Sequence, residues 1–362
     1  MARRHGHRAV AAVAVALLAA GTSACSPSAG VADGDTVAPA VTALVEGTTT
    51  RVMLPAGALD LTVGEPRDEV PAHQTATGET VAAPDGDVVL GVGWRLQPTF
   101  ADNGANFGTP GTYYDDATAR TAERLRVRLR VGDETREVPV VAGPDDGREL
   151  AVTGAAWLVV PAEGADAGTI EVEYDGLVQT LDLASGELDA DVAAPLYAPY
   201  ALPTRVACPT GELDPGLAGV LEVDAGCTAQ LLPLPYVEGL GWAGAGRTWV
   251  VVDLVTYGDV TVVGRDFAGV DEVRQDGTLT ADGDEAVVVP EAFVSADGPR
   301  WSGEVALQVP VGTSTTVEGR STYALSATPA PPVAEVEIPY SFVVDATAVP
   351  TTLPTSGPGV LR

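Results

Sequence analysis

The chain has 362 residues, of which 46% are hydrophobic, and its 20 basic and 50 acidic side chains give a net charge of −30. That much apolar material argues against an acidic disordered polypeptide, and the charge argues against nucleic acid or anionic lipid headgroups as partners. At about 150 residues per domain, the length suits two domains with ample core.

The opening stretch, "MARRHGHRAVAAVAVALLAAGTSACSPSAG", sets Arg3, Arg4 and Arg8 before an apolar run from Ala9 to Ala20. A run of that length fits the apolar region of an export signal and falls short of the about 20 residues a membrane span needs. Gly21-Thr22-Ser23-Ala24-Cys25 then resembles a lipobox, the bacterial lipoprotein processing site. The resemblance implies that residues 1–24 are a lipoprotein signal peptide and that Cys25 is acylated, as with palmitate, and becomes the first residue. The mature protein would then sit on the extracytoplasmic face of the cell membrane. Thr22 departs from the Leu commonest at that place, and the alternative is ordinary cleavage to a soluble secreted chain. Two acyl chains suffice for a stable mooring, since each buried methylene contributes about 0.8 kcal/mol. Loss of three arginines leaves seventeen against fifty acids, a net charge of −33. Residues 25–40, rich in Ser, Pro, Ala and Gly, are expected to form a disordered tether spreading over roughly 20 Å.

From residue 41 onward alternation with a period of two replaces any helical period, and 41–190 reads as a first β-sandwich domain. Expected strands include Leu59 to Val63, Val88 to Gln97 and Ala156 to Pro161. "RLRVRLRV" (124–131) puts Leu125, Val127, Leu129 and Val131 on one face and Arg124, Arg126, Arg128 and Arg130 on the other, with "REVPVV" as the return strand carrying Arg136. This arginine patch is either neutralised by acids on adjacent strands or faces an anionic partner. "TIEVEYDGLVQTLDL" (169–183) predicts a hairpin, its Asp175-Gly176 pair suited to a type I′ turn. The segment 98–123 lacks alternation and is long for a loop, which makes it the best binding candidate. Its Phe100, Phe107, Tyr113 and Tyr114 can stack on a sugar ring or partner, while Asn103, Asn106, Asp115 and Asp116 offer hydrogen bonds.

Pro195, Pro199 and Pro203 predict a Pro-rich, non-helical connector over 191–205. A second β-sandwich domain then covers 206–349 and a disordered tail 350–362. Cys208 and Cys227 are expected to pair as a disulfide closing a loop of about 20 residues. A weak internal repeat matches 86–98 to 246–258 and 155–176 to 285–312. "LPTSG" (353–357) fails as a sortase signal because neither an apolar span nor a basic tail follows it.

The lipobox, the repeated V-V-P segments and "EYDGLVQTLDLASG" resemble uncharacterised actinobacterial surface lipoproteins with immunoglobulin-like domains. That resemblance implies an all-β fold of two tandem immunoglobulin-like β-sandwiches and no reaction. His73 is the one histidine of the mature chain and reads as a surface loop residue, so nucleophile-base chemistry has no visible machinery. No cofactor or metal is expected. The acidic turns at 84–87, 143–147 and 275–285 lack the spacing of a calcium loop and read as turn chemistry. The expected function is a membrane-anchored, non-enzymatic cell-envelope ectodomain that binds or scaffolds a glycan or protein partner. The alternatives are a carboxylate-dependent glycan-processing enzyme or its carbohydrate-binding accessory, and a structural spacer without specific ligand.

Overall fold

Alternating apolar side chains turn this chain into long strands, and the strands pair antiparallel into four principal sheets. A computed structural model describes residues 36–98, 121–142, 149–150, 153–197, 204–208, 221–262, 268–274, 279–281, 284–285, 287–288, 295–297, 300–327, 335–347 and 349. The fold is all-β, and its helical pieces among these residues are short: three 3₁₀ turns and an α-helical turn at 121–124.

Sheet I runs in the order Thr36–Val37, Thr153–Pro161, Asp87–Pro98, Gly57–Gly64 and Gly47–Leu54. Facing it, sheet II runs Leu188–Asp189, Leu177–Asp182, Thr169–Tyr174, Leu125–Val131 and Glu134–Val138. Their facing sides share one core in which Leu54, Leu59, Leu61, Leu90 and Leu158 meet Leu125, Leu129 and Ile170, all essentially without solvent contact. This is the layered solution expected when each sheet has one apolar face to hide. Tryptophans sit across strands from glycines, Trp157 opposite Gly91 and Trp94 opposite Gly154. Any Cβ at either glycine would collide with the facing indole. The outer face of sheet I is also covered, by a small cluster in which Val37, Val70 and Val89 enclose Trp157.

Sheet III runs Thr204–Cys208, Leu221–Leu234, Arg247–Val262, Arg300–Pro310 and Val287–Val288, with Ser295–Asp297 also on Arg300–Pro310. Sheet IV is built on Ser314–Ala327, flanked by Glu335–Asp345 on one side and by Ala268–Arg274 and Thr280–Ala281 on the other. A second core joins them, with Val250, Val252, Leu254 and Leu307 against Val317, Ile338, Tyr340 and Phe342. Cys208 and Cys227 face each other in register across the edge of sheet III and form the expected disulfide, Cα to Cα 5.0 Å.

The expected strands 59–63, 88–97 and 156–161 all lie inside observed strands. Leu125–Val131 alternates buried and solvent-facing residues along its whole length, and Asp175 and Gly176 both take positive φ, 48° and 83°, as a type I′ turn requires. Other expectations are modified. Residues 36–40, read from the sequence as part of the tether, pair instead: Thr36 and Val37 add to sheet I, and the Ala40 amide donates to the Gln74 carbonyl at 3.0 Å. The connector was expected to contain no helix, yet Asp191–Tyr197 is a 3₁₀ helix with Pro195 inside. Proline's fixed φ is compatible with a short tight turn. The helix is held by its last residue, because the Tyr197 hydroxyl accepts from the Met53 amide at 2.9 Å and donates to Gln179 Oε1 at 2.6 Å. Gln179 Nε2 donates to the Met53 carbonyl at 2.8 Å and closes a three-residue clasp. Both repeat members of the pair 86–98 and 246–258 form the middle strand of their sheet, whereas 155–176 and 285–312 take different connections.

Candidate functional site

The arginine ladder of sheet II lies in register with an acidic strand. Arg126 and Arg128 stand directly across from Glu173 and Glu171. Glu173 bridges Arg126 at 3.3 Å and Arg128 at 2.5 Å, while Glu171 bridges Arg128 at 3.5 Å and Arg130 at 3.3 Å. Arg136 pairs with Glu134 on its own strand at 2.5 Å. Antiparallel register thus neutralises the face locally, and the patch does not stand as a free cationic surface. Pairs this exposed contribute little singly, about 0.2 to 1 kcal/mol. Replacing the carboxylate that spans two rungs, Glu173→Gln, is expected to cost about 1 kcal/mol in 50 mM salt and much less in 1 M salt. Urea titrations at the two salt concentrations check this, and an equal cost in both would show that packing, not charge, holds the rung.

Arg124, first of the ladder, points elsewhere. Its Nη1 donates to the Tyr236 hydroxyl at 2.5 Å and to Glu238 Oε2 at 2.7 Å. Both partners belong to a hairpin of the second half, Tyr236–Val237 paired with Gly241–Trp242. The turn is drawn tight by Gly239 and Gly241, at φ 79° and 83°, and the Ala243 amide closes it on the Pro235 carbonyl at 2.8 Å. The hairpin has two apolar sides. Val237 and Ala243 pack with Trp249, Val251 and Ala306 on the outer face of sheet III. Tyr236 instead joins the core between sheets I and II, with Trp242 packed against it. Three rings meet there edge to face: Tyr174 with Tyr236 at 5.7 Å, Tyr174 with Trp242 at 6.4 Å and Tyr236 with Trp242 at 5.1 Å. The Trp242 indole donates to the Tyr174 carbonyl at 2.8 Å, and the Tyr236 hydroxyl donates to Asp175 Oδ2 at 2.9 Å.

The electrostatics favour one protonation state. Burial opposes the Arg124 charge, but Glu238, Tyr236 and Asp175 outweigh it and hold the guanidinium above its ordinary value. Burial first, then Tyr174 and Glu238, keep the Tyr236 hydroxyl protonated well above its usual range, against the pull of Arg124. Burial likewise raises Tyr174 and Tyr197. A tyrosine whose folded value is raised stabilises fully below its unfolded value, about 10, and that contribution is lost as pH rises from there. The melting temperature is therefore expected to fall steeply above about pH 10. Tyr236→Phe removes one of the three phenols and should show a shallower alkaline slope; an unchanged slope would mean that this phenol ionises freely in the folded protein.

A pair of acids also comes together on sheet III. Asp253 and Glu304 are direct cross-strand partners, on the face that the hairpin partly covers. Burial raises the Asp253 carboxyl, while Arg205 and Arg300 pull it down. Two such carboxylates are the minimum that acid-base hydrolysis needs.

The other sequence candidates are placed as follows. Phe100, Asn103, Asn106, Phe107, Tyr113, Tyr114, Asp115 and Asp116, and likewise Cys25, lie outside the described residues. His73 is exposed in the 3₁₀ turn Ala72–Gln74. The acidic turn at 84–87 closes through the Asp87 amide on the Pro84 carbonyl at 3.0 Å, with Gly86 at φ 92°. Among the described residues no cluster of three or more His, Cys, Asp or Glu could hold a metal ion, and no helix is long and apolar enough to cross a membrane. Sequence reasoning passed over Tyr236, Glu238 and Trp242; the signal was the glycine-punctuated aromatic pair in "PYVEGLGWAG" (235–244). No protein-family model, curated protein or solved structure matches the chain.

Proposed function

We propose that the chain is a membrane-anchored cell-envelope lipoprotein whose two β-sandwiches, immunoglobulin-like in kind, form one non-enzymatic binding or scaffolding ectodomain. The observation that carries this reading is the hairpin lodged between the first core and the outer face of sheet III. A hairpin that contributes Tyr236 to one core and Val237 to the face of the other sheet makes the two halves turn together. That suits a surface held out to a partner better than two lobes that close on a substrate. The disulfide supports an oxidising, extracytoplasmic setting, and the lipobox-like Gly21–Cys25 supports a lipid anchor at Cys25.

In this reading the partner is an envelope glycan or protein, gripped by the aromatic and amide side chains of 98–123. Two experiments test it. Mass spectrometry of the N-terminal peptide from membrane-extracted protein should find Cys25 acylated, and an unmodified thiol there removes the anchor. The ectodomain should recover a partner from envelope extracts that a folded variant lacking 99–120 does not, and equal recovery by both removes that loop.

A further inference from the structure

The first described residues carry a feature that neither the fold nor the proposed binding role uses. Residues 36–45, "TVAPAVTALV", hold no charged side chain, in a chain whose acids outnumber its bases by thirty. The base of this segment is pinned. Val37 is buried against Trp157, the Ala76 amide donates to the Ala38 carbonyl at 2.9 Å, and the Ala43 amide closes a turn on the Ala40 carbonyl at 2.9 Å. On the far side Val45 packs back on the same cluster. Between these two anchored valines the turn presents Val41 and Leu44 outward, at 106% and 76% relative exposure, the two most exposed large apolar side chains among the described residues.

A closed turn that aims its apolar side chains away from the body needs an apolar medium to repay it. Its position says which medium. Val41 is sixteen residues from Cys25, a span of at most about 55 Å whatever the conformation between them. The turn thus follows directly on Thr36–Val37, the first strand of the sandwich, and lies within reach of the proposed acylated residue. A net charge of −33 repels anionic headgroups, so a segment without charged side chains is the part of the body that meets a bilayer at least electrostatic cost. We propose that the Val41–Leu44 turn is a membrane seat: with the chain moored at residue 25, Val41 and Leu44 enter the interfacial layer of the bilayer and set the face of sheet I toward it. The seat rests on the reading of Cys25 as the anchoring residue, because two apolar side chains without a second attachment hold a membrane only marginally.

The test separates seat from anchor. The chain from residue 26 onward, with a histidine tag in place of Cys25, is held on nickel-chelating lipid in phosphatidylcholine vesicles. A polarity-sensitive dye is placed on Thr42→Cys within the turn, or on Val178→Cys on the outer face of sheet II across the sandwich. A lipid-borne quencher should quench the dye at position 42 at least about twofold more than at 178, with a blue-shifted emission. The double variant Val41→Asp, Leu44→Asp should abolish both signals and leave the melting temperature unchanged, since neither side chain packs on the body. Equal quenching at the two positions, or quenching at 42 that survives the double variant, overturns the seat. Because the tag replaces the lipid, an unmodified Cys25 in cells would remove the anchor without altering this result.

Discussion

Tyr236→Ala is expected to destabilise the protein by about 3 to 5 kcal/mol, the range for deleting a large buried ring. Three losses add. The ring leaves the core between sheets I and II, where it is 6% exposed. Its two edge-to-face neighbours, Tyr174 and Trp242, lose a partner, each such contact contributing about 0.5 to 1.5 kcal/mol beyond area. The Asp175 carboxylate loses a donor and Arg124 an acceptor. Tyr236→Phe keeps the ring and should cost only about 1 to 2 kcal/mol. Denaturant titration reads the size of the effect, and small-angle X-ray scattering reads its form. With the hairpin loosened the two sandwiches should separate into independent bodies, so the alanine variant should unfold in two steps and show a larger radius of gyration. A single transition within 1 kcal/mol of the parent would mean the hairpin belongs to sheet III alone.

Removing the disulfide, as Cys208→Ala with Cys227→Ala, is the second large effect. The residues are 19 apart in sequence, and closing a loop of that size restrains the unfolded chain by about 3 kcal/mol. The native state loses little, because both side chains are small and already in the core. The cost should fall on the second sandwich. Thr204–Cys208 is an edge strand of five residues, held to the sheet on one side only. Amide exchange in that strand should accelerate first, and reductant should reproduce the effect in the parent. Identical midpoints for oxidised and reduced protein would refute the assignment of stability to this bond.

The parts of the fold legible in the sequence are those governed by local periodicity. Leu125 to Val131 declares its buried face by strict alternation, and Asp175-Gly176 declares its turn by the backbone angles it must take. Once that hairpin is placed, the pairing of Arg126 and Arg128 with Glu173 and Glu171 follows from register. The hairpin at 236–242 was not legible, because strands of two residues have no period to detect. Its partners Arg124 and Asp175 lie 112 and 61 residues away along the chain, and only the packing of whole sheets brings them together. The same holds for Asp253 beside Glu304. The 3₁₀ strap was misread because proline spacing signals the absence of α-helix and is silent about tighter turns, whose fixing contact here is the hydroxyl of Tyr197.

The clasp of Met53, Gln179 and Tyr197 bears on how copies of this protein coexist. An open strand border is where one copy of a protein recruits the next into a growing ribbon. At Met53 both main-chain groups on the border of sheet I are already taken by side chains from the same molecule. A neighbouring copy would find the border occupied at Met53, which interrupts strand-to-strand pairing at that point.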